Sequence, residues 1–415
     1  MTFPQLVGGT IGFNKEIEGN PWRMTFGLLT RQYSSKRFDQ AYTQTGEGII
    51  AVIPGQERYT GSMFYQNDLF EYWLGVGVGR KINEHHAFGA TLFSTIRSQN
   101  GRYELSRRID FPGLQEIELP DGSMTPYYWT QIYSLQGYSI QSTSLILKLG
   151  WAYEKEDWKL GATVTIPSLP IRLTKLGIGA ANVTRDQYQL NLSKPYDQSI
   201  SNEFLLGDFS VYNKEIRVPA NYRNPTSISF GVQKDLPNSR IMFSAEYFLP
   251  IDAYIVVDAV GDSNIVNPLD SFLGLEEENY SDVVEEHRQV LNVGVAYEYN
   301  WDSSFYLHAG FRTDFSYSQD RQEYFDNAEL SLTSMPVDFY HLSIGGTFAH
   351  KRGFLTLTLD QAFGGKSGFE SIVNMRDPVD YDPKLDKRFE GIEESLSKAF
   401  VYQVTFIVGY TVVFN

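Results

Sequence analysis

The C-terminal stretch constrains this chain more than any other. From Phe400 the even positions read Phe400, Tyr402, Val404, Phe406, Val408, Tyr410, Val412 and Phe414, all apolar or aromatic. Strict period-2 alternation is the pattern of a strand with one uniformly apolar face. One such strand could arise by chance; repetition in hairpins settles the class. Phe70, Tyr72, Leu74, Val76 and Val78 alternate up to Asn83-Glu84-His85, and Phe88, Ala90, Leu92 and Ile96 follow. Leu145, Leu147, Leu149, Trp151 and Tyr153 reach the polar turn Glu154-Lys155-Glu156-Asp157, then Trp158, Leu160, Ala162, Val164 and Ile166 return. Further hairpins turn at Pro237-Asn238-Ser239, at Asn300 to Ser303 and at His350-Lys351-Arg352-Gly353.

These apolar faces carry no Lys or Arg, whose cost on a lipid-facing barrel surface is about 2–4 kcal/mol at mid-membrane. The opposite faces hold Gly, Ser and Thr with the charges Lys148, Glu246, Glu298, Arg312 and Asp360, as a wet lumen requires. Turns within hairpins are short and polar. Connections between hairpins are long: Gln99–Gly137, Pro167–Pro225, Asp252–His287, Asp314–Asp338 and Ala362–Lys398. Short turns alternating with long loops mark outer-membrane barrels, the short turns periplasmic and the long loops extracellular. Trp22, Trp158 and Trp301 lie in or beside short turns, at the level of one headgroup layer. The expected fold class is therefore all-β, a transmembrane antiparallel β-barrel of a Gram-negative-type outer membrane.

Composition narrows the remaining classes. No apolar run approaches the ~20 residues of a spanning helix. The 27 Tyr and 28 Phe exceed what a soluble core requires, which suits aromatic girdles. The net charge of −15 argues against a nucleic-acid partner, and the absence of Cys removes disulfides and thiolate metal sites.

With Gln5–Phe13, the turn Asn14–Pro21 and Trp22–Tyr33 added, thirteen strands are readable. Bacterial single-chain barrels have an even number, so about 14 strands are expected. Met1-Thr2-Phe3-Pro4 shows neither the basic nor the apolar region of an export signal. The expectation is a single barrel domain over 1–415 from which a first strand and any N-terminal hatch are missing.

Three lead-ins and hairpins carry a family resemblance: Val218-Pro219-Ala220-Asn221-Tyr222 into Thr226–Lys234; Gly294-Val295-Ala296-Tyr297-Glu298-Tyr299-Asn300-Trp301 followed by Leu307-His308-Ala309-Gly310-Phe311; and Met335-Pro336-Val337-Asp338 before Leu342-Ser343-Ile344-Gly345-Gly346. In these the chain resembles the FadL/TodX-type outer-membrane transporters of long-chain fatty acids and other hydrophobic compounds. The resemblance implies uptake of a hydrophobic small molecule through the lumen, with an outer capture groove and lateral release at a strand kink. The family's hatch has no counterpart before Gln5. A relative of this fold serves the type IX secretion machinery, so an accessory barrel subunit of a secretion or assembly complex stands as the alternative. The implied surroundings are membrane lipids and lipopolysaccharide, a hydrophobic ligand, and, on the alternative, other outer-membrane or periplasmic proteins.

Candidate sites follow. The loop Phe111–Tyr138 is rich in large apolar groups, among them Phe111, Leu114, Met124, Tyr127, Tyr128, Trp129, Ile132 and Tyr133. Such a surface is either a binding groove or a lid packed on its neighbours. Leu169, Ile171, Leu173, Leu176 and Ile178 are candidates for the facing wall. Arg97, Lys148, Lys159 and Arg312 could attract a carboxylate head group within the lumen or simply pair with lumen acids. Gly27, inward between Phe26 and Leu28, marks either a kink for lateral release or ordinary barrel curvature. Gly75, Gly77 and Gly79 line another inward face.

Catalysis finds little support, and no cofactor is expected. No His-Glu-x-x-His pair and no nucleophile elbow occur; only His308 points inward within a strand. Gly364-Gly365-Lys366-Ser367 lacks the earlier glycine of a phosphate loop, since Asp360 stands there. Glu276-Glu277-Glu278 with Asp282, Glu285 and Glu286 reads as a solvated acidic loop, its spacing matching no metal loop.

Overall fold

A computed structural model of the chain describes residues 6–12, 22–50, 55–111, 116–118, 122–126, 129–191, 209–258, 282–318, 330–331, 336–370, 373–380, 389–391 and 396–413. Thirteen strands follow one another along one antiparallel path: β1 (Leu6–Gly12), β2 (Arg23–Glu47), β3 (Gln56–Lys81), β4 (His86–Asp110), β5 (Trp129–Lys155), β6 (Trp158–Thr165), β7 (Ser227–Leu236), β8 (Ser239–Phe248), β9 (Val290–Asn300), β10 (Phe305–Asp314), β11 (Phe339–His350), β12 (Gly353–Glu370) and β13 (Leu396–Val412). A fourteenth wall strand is not among the described ones, and the turn read at Asn14–Pro21 lies outside the described residues.

The pairing register carries the apolar faces from strand to strand. Val76 is opposite Phe26 on one side and Leu92 on the other, and Leu92 is opposite Leu147. Leu149 meets Val164, Val164 meets Ile228, and Leu359 joins Ile344 to Phe406. The result is a continuous exposed band in which Phe406 and Val408 are 79% and 71% accessible. Large apolar side chains exposed on every wall strand are stable only against hydrocarbon. Trp22, Trp158 and Trp301 are exposed at the short-turn end, where Arg80 lies over Trp22 and Lys234 over Trp158. Indole rings flanked by cations belong at the headgroup layer.

The wall is much taller on one side than the sequence pattern indicated. β2 to β5 run 25, 26, 25 and 27 residues, against about 9–11 for a barrel crossing. The segment read as the loop Gln99–Gly137 is thus largely strand, up to Asp110 and again from Trp129. The reason is a reversal of polarity. Below, β3 turns Leu74, Val76 and Val78 outward to lipid and glycines inward. Above, its inward positions are Tyr59, Met63 and Tyr65, all buried, and its outward positions are polar except for Phe64. Outside the membrane the outer face meets water, so the apolar face must be the inner one.

That inner face is covered by segments arriving from the far end of the path. Tyr59, Met63, Leu105, Ile109, Phe111 and Ile132 form one core with Val373, Met375 and Phe389 from the β12–β13 connection. The Tyr59 hydroxyl donates to the Phe389 carbonyl at 3.0 Å, and Arg107 pairs with Glu390. A strand near one end of the sheet touching a connection near the other requires the sheet to curl round on itself, as a barrel does.

A second internal unit fills the lumen. Strands Ile251–Val257, Val283–His287 and Leu330–Ser331 form a small separate sheet. Its Tyr254, Val256, Val257 and Val283 pack on Tyr138 and Ile140 of β5 and on Ala181 and Val183. The Ala180–Asn191 strand pairs with the upper half of β5, continuing the line of β6 after a break. In that break Gly177 and Gly179 take left-handed backbone, and a side chain on Gly179 would strike the Ile171 carbonyl. Leu169, Leu173 and Leu176 are exposed on this excursion, so they do not form a wall facing the 111–138 segment.

Glycines of the inner face differ in consequence. A Cβ on Gly75 would run into the Phe93 ring, which packs beside Trp73 at 5.3 Å, so this inward glycine leaves no open space. Gly75→Ala is expected to lower stability by about 1–3 kcal/mol, the range for overpacking. Gly27→Ala should be near neutral, its nearest neighbour being the Val7 carbonyl oxygen at 3.5 Å. Urea titration of the two variants in lipid vesicles separates them.

Candidate functional site

The site is built by one irregularity in β2. Gly27 pairs regularly with both Gly8 and Gly75, so no kink lies there. The register slips instead between Thr30 and Gln32, leaving Arg31 as the extra residue of a bulge. A bulge turns two consecutive side chains to one face and reverses the alternation beyond it. Phe26 and Leu28 face lipid below the bulge, Tyr33 does so above it, and Arg31 and Gln32 both reach into the lumen.

Arg31 lies over the ring of Trp73, its guanidinium carbon 5.9 Å from the centroid. The ammonium of Lys148, from β5, lies 5.3 Å from the same centroid. Trp73 is buried and donates its indole N–H to Glu71 at 2.6 Å. The other Glu71 oxygen accepts from Arg97 at 2.8 Å. Arg97 also donates to Gln32 and to Gln99, and its plane covers the Tyr222 ring at 3.8 Å. Gln99 donates to Asn67, and Asn67 to the Tyr138 hydroxyl.

Charge is distributed unevenly in this network. Arg97, with its side chain 4% exposed, is matched by Glu71 at 1%. Arg31 and Lys148 have no ion pair among the described residues. The acid on the other side of Lys148, Glu246, is reached through Thr165 and Ser227, whose hydroxyl donates to it at 2.7 Å. Two cations therefore flank one indole face to the lumen with no carboxylate bound to either. Cations beside an aromatic platform hold an anion with an apolar body: the charges take the head, the ring and Phe93 take the body.

The ceiling over this unit is aromatic. Tyr222, Tyr254 and Tyr317 surround His287, with ring centroids at 5.8, 6.1 and 4.9 Å. Gln32 of β2 donates to the Tyr317 hydroxyl at 3.4 Å, so the aromatic ceiling is tied to β2. Neither His287 ring nitrogen has a hydrogen-bond partner, the nearest acid being Glu285 at 3.7 Å. Burial, and secondarily the Arg97 charge, push His287 down to about 3. Its folded value lies below the ordinary 6.5, so the unfolded chain takes the proton first. The contribution is complete above pH 6.5 and declines as pH falls from there toward 3, by up to ~1.4 kcal/mol per unit. The internal sheet should thus loosen between pH 6 and 4, read by amide hydrogen exchange of Val283–His287. His287→Phe should remove that dependence.

The other sequence candidates divide. Lys148 is at the site. Arg97 is in the lumen but spent on Glu71. Lys159 sits at the short-turn rim, bound to Asp235 at 3.0 Å and near Glu154 at 3.7 Å. Arg312 bonds His341 at 3.1 Å beside Asp314 and does not approach Trp73. Phe111 and Ile132 are buried against the β12–β13 connection, the lid arrangement rather than an open groove. Trp129 packs under Arg108, and Tyr133 stacks on Tyr188. Leu114, Tyr127 and Tyr128 lie outside the described residues.

His308 bonds Thr358 at 2.8 Å, and His341 bonds Asp360 at 2.8 Å. Ser343, the register partner of Asp360, donates instead to the Gly310 carbonyl. No metal-ligand cluster occurs among the described residues. Asp282 and Glu285, read as part of a solvated acidic loop, are buried, being carried inward by the internal sheet; Glu276-Glu277-Glu278 lies outside the described residues.

No family model and no curated protein matches the chain. Among solved structures it is similar to the Pseudomonas putida toluene transporter TodX, at 10% identity over 99% of this chain and 87% of that one, TM-score 0.46. It is also similar to a Pseudomonas aeruginosa FadL homologue, at 12% identity over 94% and 78%, TM-score 0.44. The CymD monoaromatic hydrocarbon channel follows, at 10% identity over 86% and 81%, TM-score 0.36. Likeness this distant transfers neither a ligand nor a residue role.

Proposed function

We propose that this chain is an outer-membrane channel for hydrophobic small molecules, and that it prefers those with an anionic head, such as long-chain fatty acids. The observation that carries the reading is the Arg31–Trp73–Lys148 unit: two lumen cations without carboxylate partners among the described residues, 5.9 and 5.3 Å from the centre of one buried indole. A purely structural lumen would neutralise such charges, as Arg97 with Glu71 and Lys159 with Asp235 show. The apolar inner face of the tall wall leads down toward this unit, covered by Val373, Met375 and Phe389. Ligand would enter by displacing that cover and pass beside the internal sheet to Trp73.

The test is native mass spectrometry of the protein extracted from membranes in mild detergent. Retained ions in the fatty-acid mass range, lost in a variant lacking both cations, support the reading. The filled lumen and the tall outer wall also suit an accessory subunit of a secretion or assembly complex. A stoichiometric complex with large partner proteins, and a lumen free of small molecules, would favour that alternative.

A further inference from the structure

The outward face of the tall wall, on the opposite side of the sheet from the lumen, carries a groove of about 580 Å³. That is within the size of sites that hold small ligands. Its floor is a row of residues directly opposite one another across five strands. Ala41, Ser62 and Ser106 are followed by Tyr133 of β5 and by Tyr188 of the Ala180–Asn191 strand. Three small side chains next to two large ones make a step. Tyr133 and Tyr188 stack on each other, centroids 4.9 Å apart at 23°. One face of Tyr133 is thereby covered by Tyr188, and the other looks along the row over Ser106 and Ser62.

The rim is polar, and Asp39 and Glu104 on it are ion-paired. Asp39, Phe64 and Glu104 form the adjacent cross-strand row, with Arg37 at 3.2 Å from Asp39 and over the Phe64 ring, and Arg102 paired to Glu104. On the other side Gln131 donates to Ser106 at 3.0 Å and toward the Tyr188 hydroxyl at 3.5 Å. The position along β3 fixes the groove's height. Ser62 stands eight residues (62 to 70) beyond Phe70, the upper end of the lipid-facing run. At roughly 3.3 Å per residue and a tilt near 40°, that is about 20 Å above the hydrocarbon.

We propose that this groove binds a neutral or weakly charged saccharide, supplied by the glycan layer of the surrounding outer leaflet. An aromatic face beside a floor of small hydroxyls, rimmed by carboxylate and amide groups, matches a pyranose, whose ring has an apolar C–H face and equatorial hydroxyls. Lipid tails do not reach this height. Over the groove floor β3, β4 and β5 are paired on both sides, so a peptide strand could add only along the outer edge of β2, beyond Leu29 where β1 ends, and not across the floor. The ion-paired rim gives no excess charge to select an anion.

The experiment is saturation-transfer NMR on the purified full chain in detergent, with two probes, a neutral outer oligosaccharide of lipopolysaccharide freed of its phosphorylated core and lipid A, and maltoheptaose. The expected result is transfer to the lipopolysaccharide oligosaccharide, about tenfold weaker binding in Tyr133→Ala and loss in Ser62→Trp, which fills the floor. Lys148→Gln should leave it unchanged, separating this groove from the lumen. Transfer to maltoheptaose alone, with the same response to substitution, supports a saccharide site fed from free sugar. Absence of transfer to both at millimolar concentration, or binding indifferent to both groove substitutions, overturns the proposal.

Discussion

Replacing both lumen cations, Arg31→Gln with Lys148→Gln, should reduce the affinity for a twelve-carbon carboxylate by about 100-fold and leave the corresponding alcohol within about twofold. A hydrogen bond from a charged donor contributes about 1.5–3 kcal/mol, and about 1.4 kcal/mol is tenfold in Kd, so each cation is expected to supply at least tenfold. The two act from different strands on the same Trp73 ring, so a ligand that bridges them should lose affinity with each substitution. Neither has an ion pair among the described residues, so substitution strands no acid and the barrel should assemble normally. Equilibrium binding by quenching of tryptophan fluorescence, in the pair of variants and the parent, provides the numbers.

Glu71→Gln should be the most damaging single substitution in the lumen, at about 3–5 kcal/mol. Glu71 receives both the Trp73 indole N–H and the Arg97 guanidinium, and all three side chains are buried. Loss of the carboxylate leaves the buried Arg97 charge without its ion-pair partner. Removing both partners together, Glu71→Gln with Arg97→Met, should cost less than Glu71→Gln alone, because the stranded charge goes too. The change will be felt in the internal sheet, since Arg97 covers Tyr222 and Tyr222 packs on His287. Urea unfolding in vesicles measures the cost, and hydrogen exchange at Val283–His287 locates it.

The hairpins and their lipid faces were legible because hydrocarbon imposes one rule on every strand that crosses it. Leu74, Val76 and Val78 had to be apolar whatever else the chain did, and the same holds for Val404, Phe406 and Val408. The tall wall was hidden by the reversal of that rule above the membrane. There Tyr103, Leu105 and Ile109 face inward and Arg102, Glu104 and Arg108 outward, so a search for an outward apolar face stops at Ile96.

The site was half legible. Lys148 followed from inward phase alone. Arg31 did not, although a signal exists: lipid-facing positions run on even numbers through Leu28 and on odd numbers at Tyr33, and a slip of phase inside one strand requires a bulge. Arg97 was misread as available because its partner Glu71 sits on the neighbouring strand, at a register that sequence spacing does not fix. The aromatic ceiling was out of reach. Tyr222, Tyr254, His287 and Tyr317 come together through a separate sheet inside the lumen, and no local periodicity encodes a contact such as Gln32 with Tyr317.

The most direct test of the lumen site is photo-crosslinking with a long-chain fatty acid bearing a diazirine near its carboxylate, followed by peptide mapping of the protein in native-like vesicles. Adducts on Trp73 and Phe93, suppressed by excess unlabelled fatty acid and lost in the Arg31→Gln, Lys148→Gln variant, are the expected result. Adducts confined to lipid-facing residues such as Val76, Phe230 and Phe406, unchanged by competitor, would contradict a ligand site in the lumen.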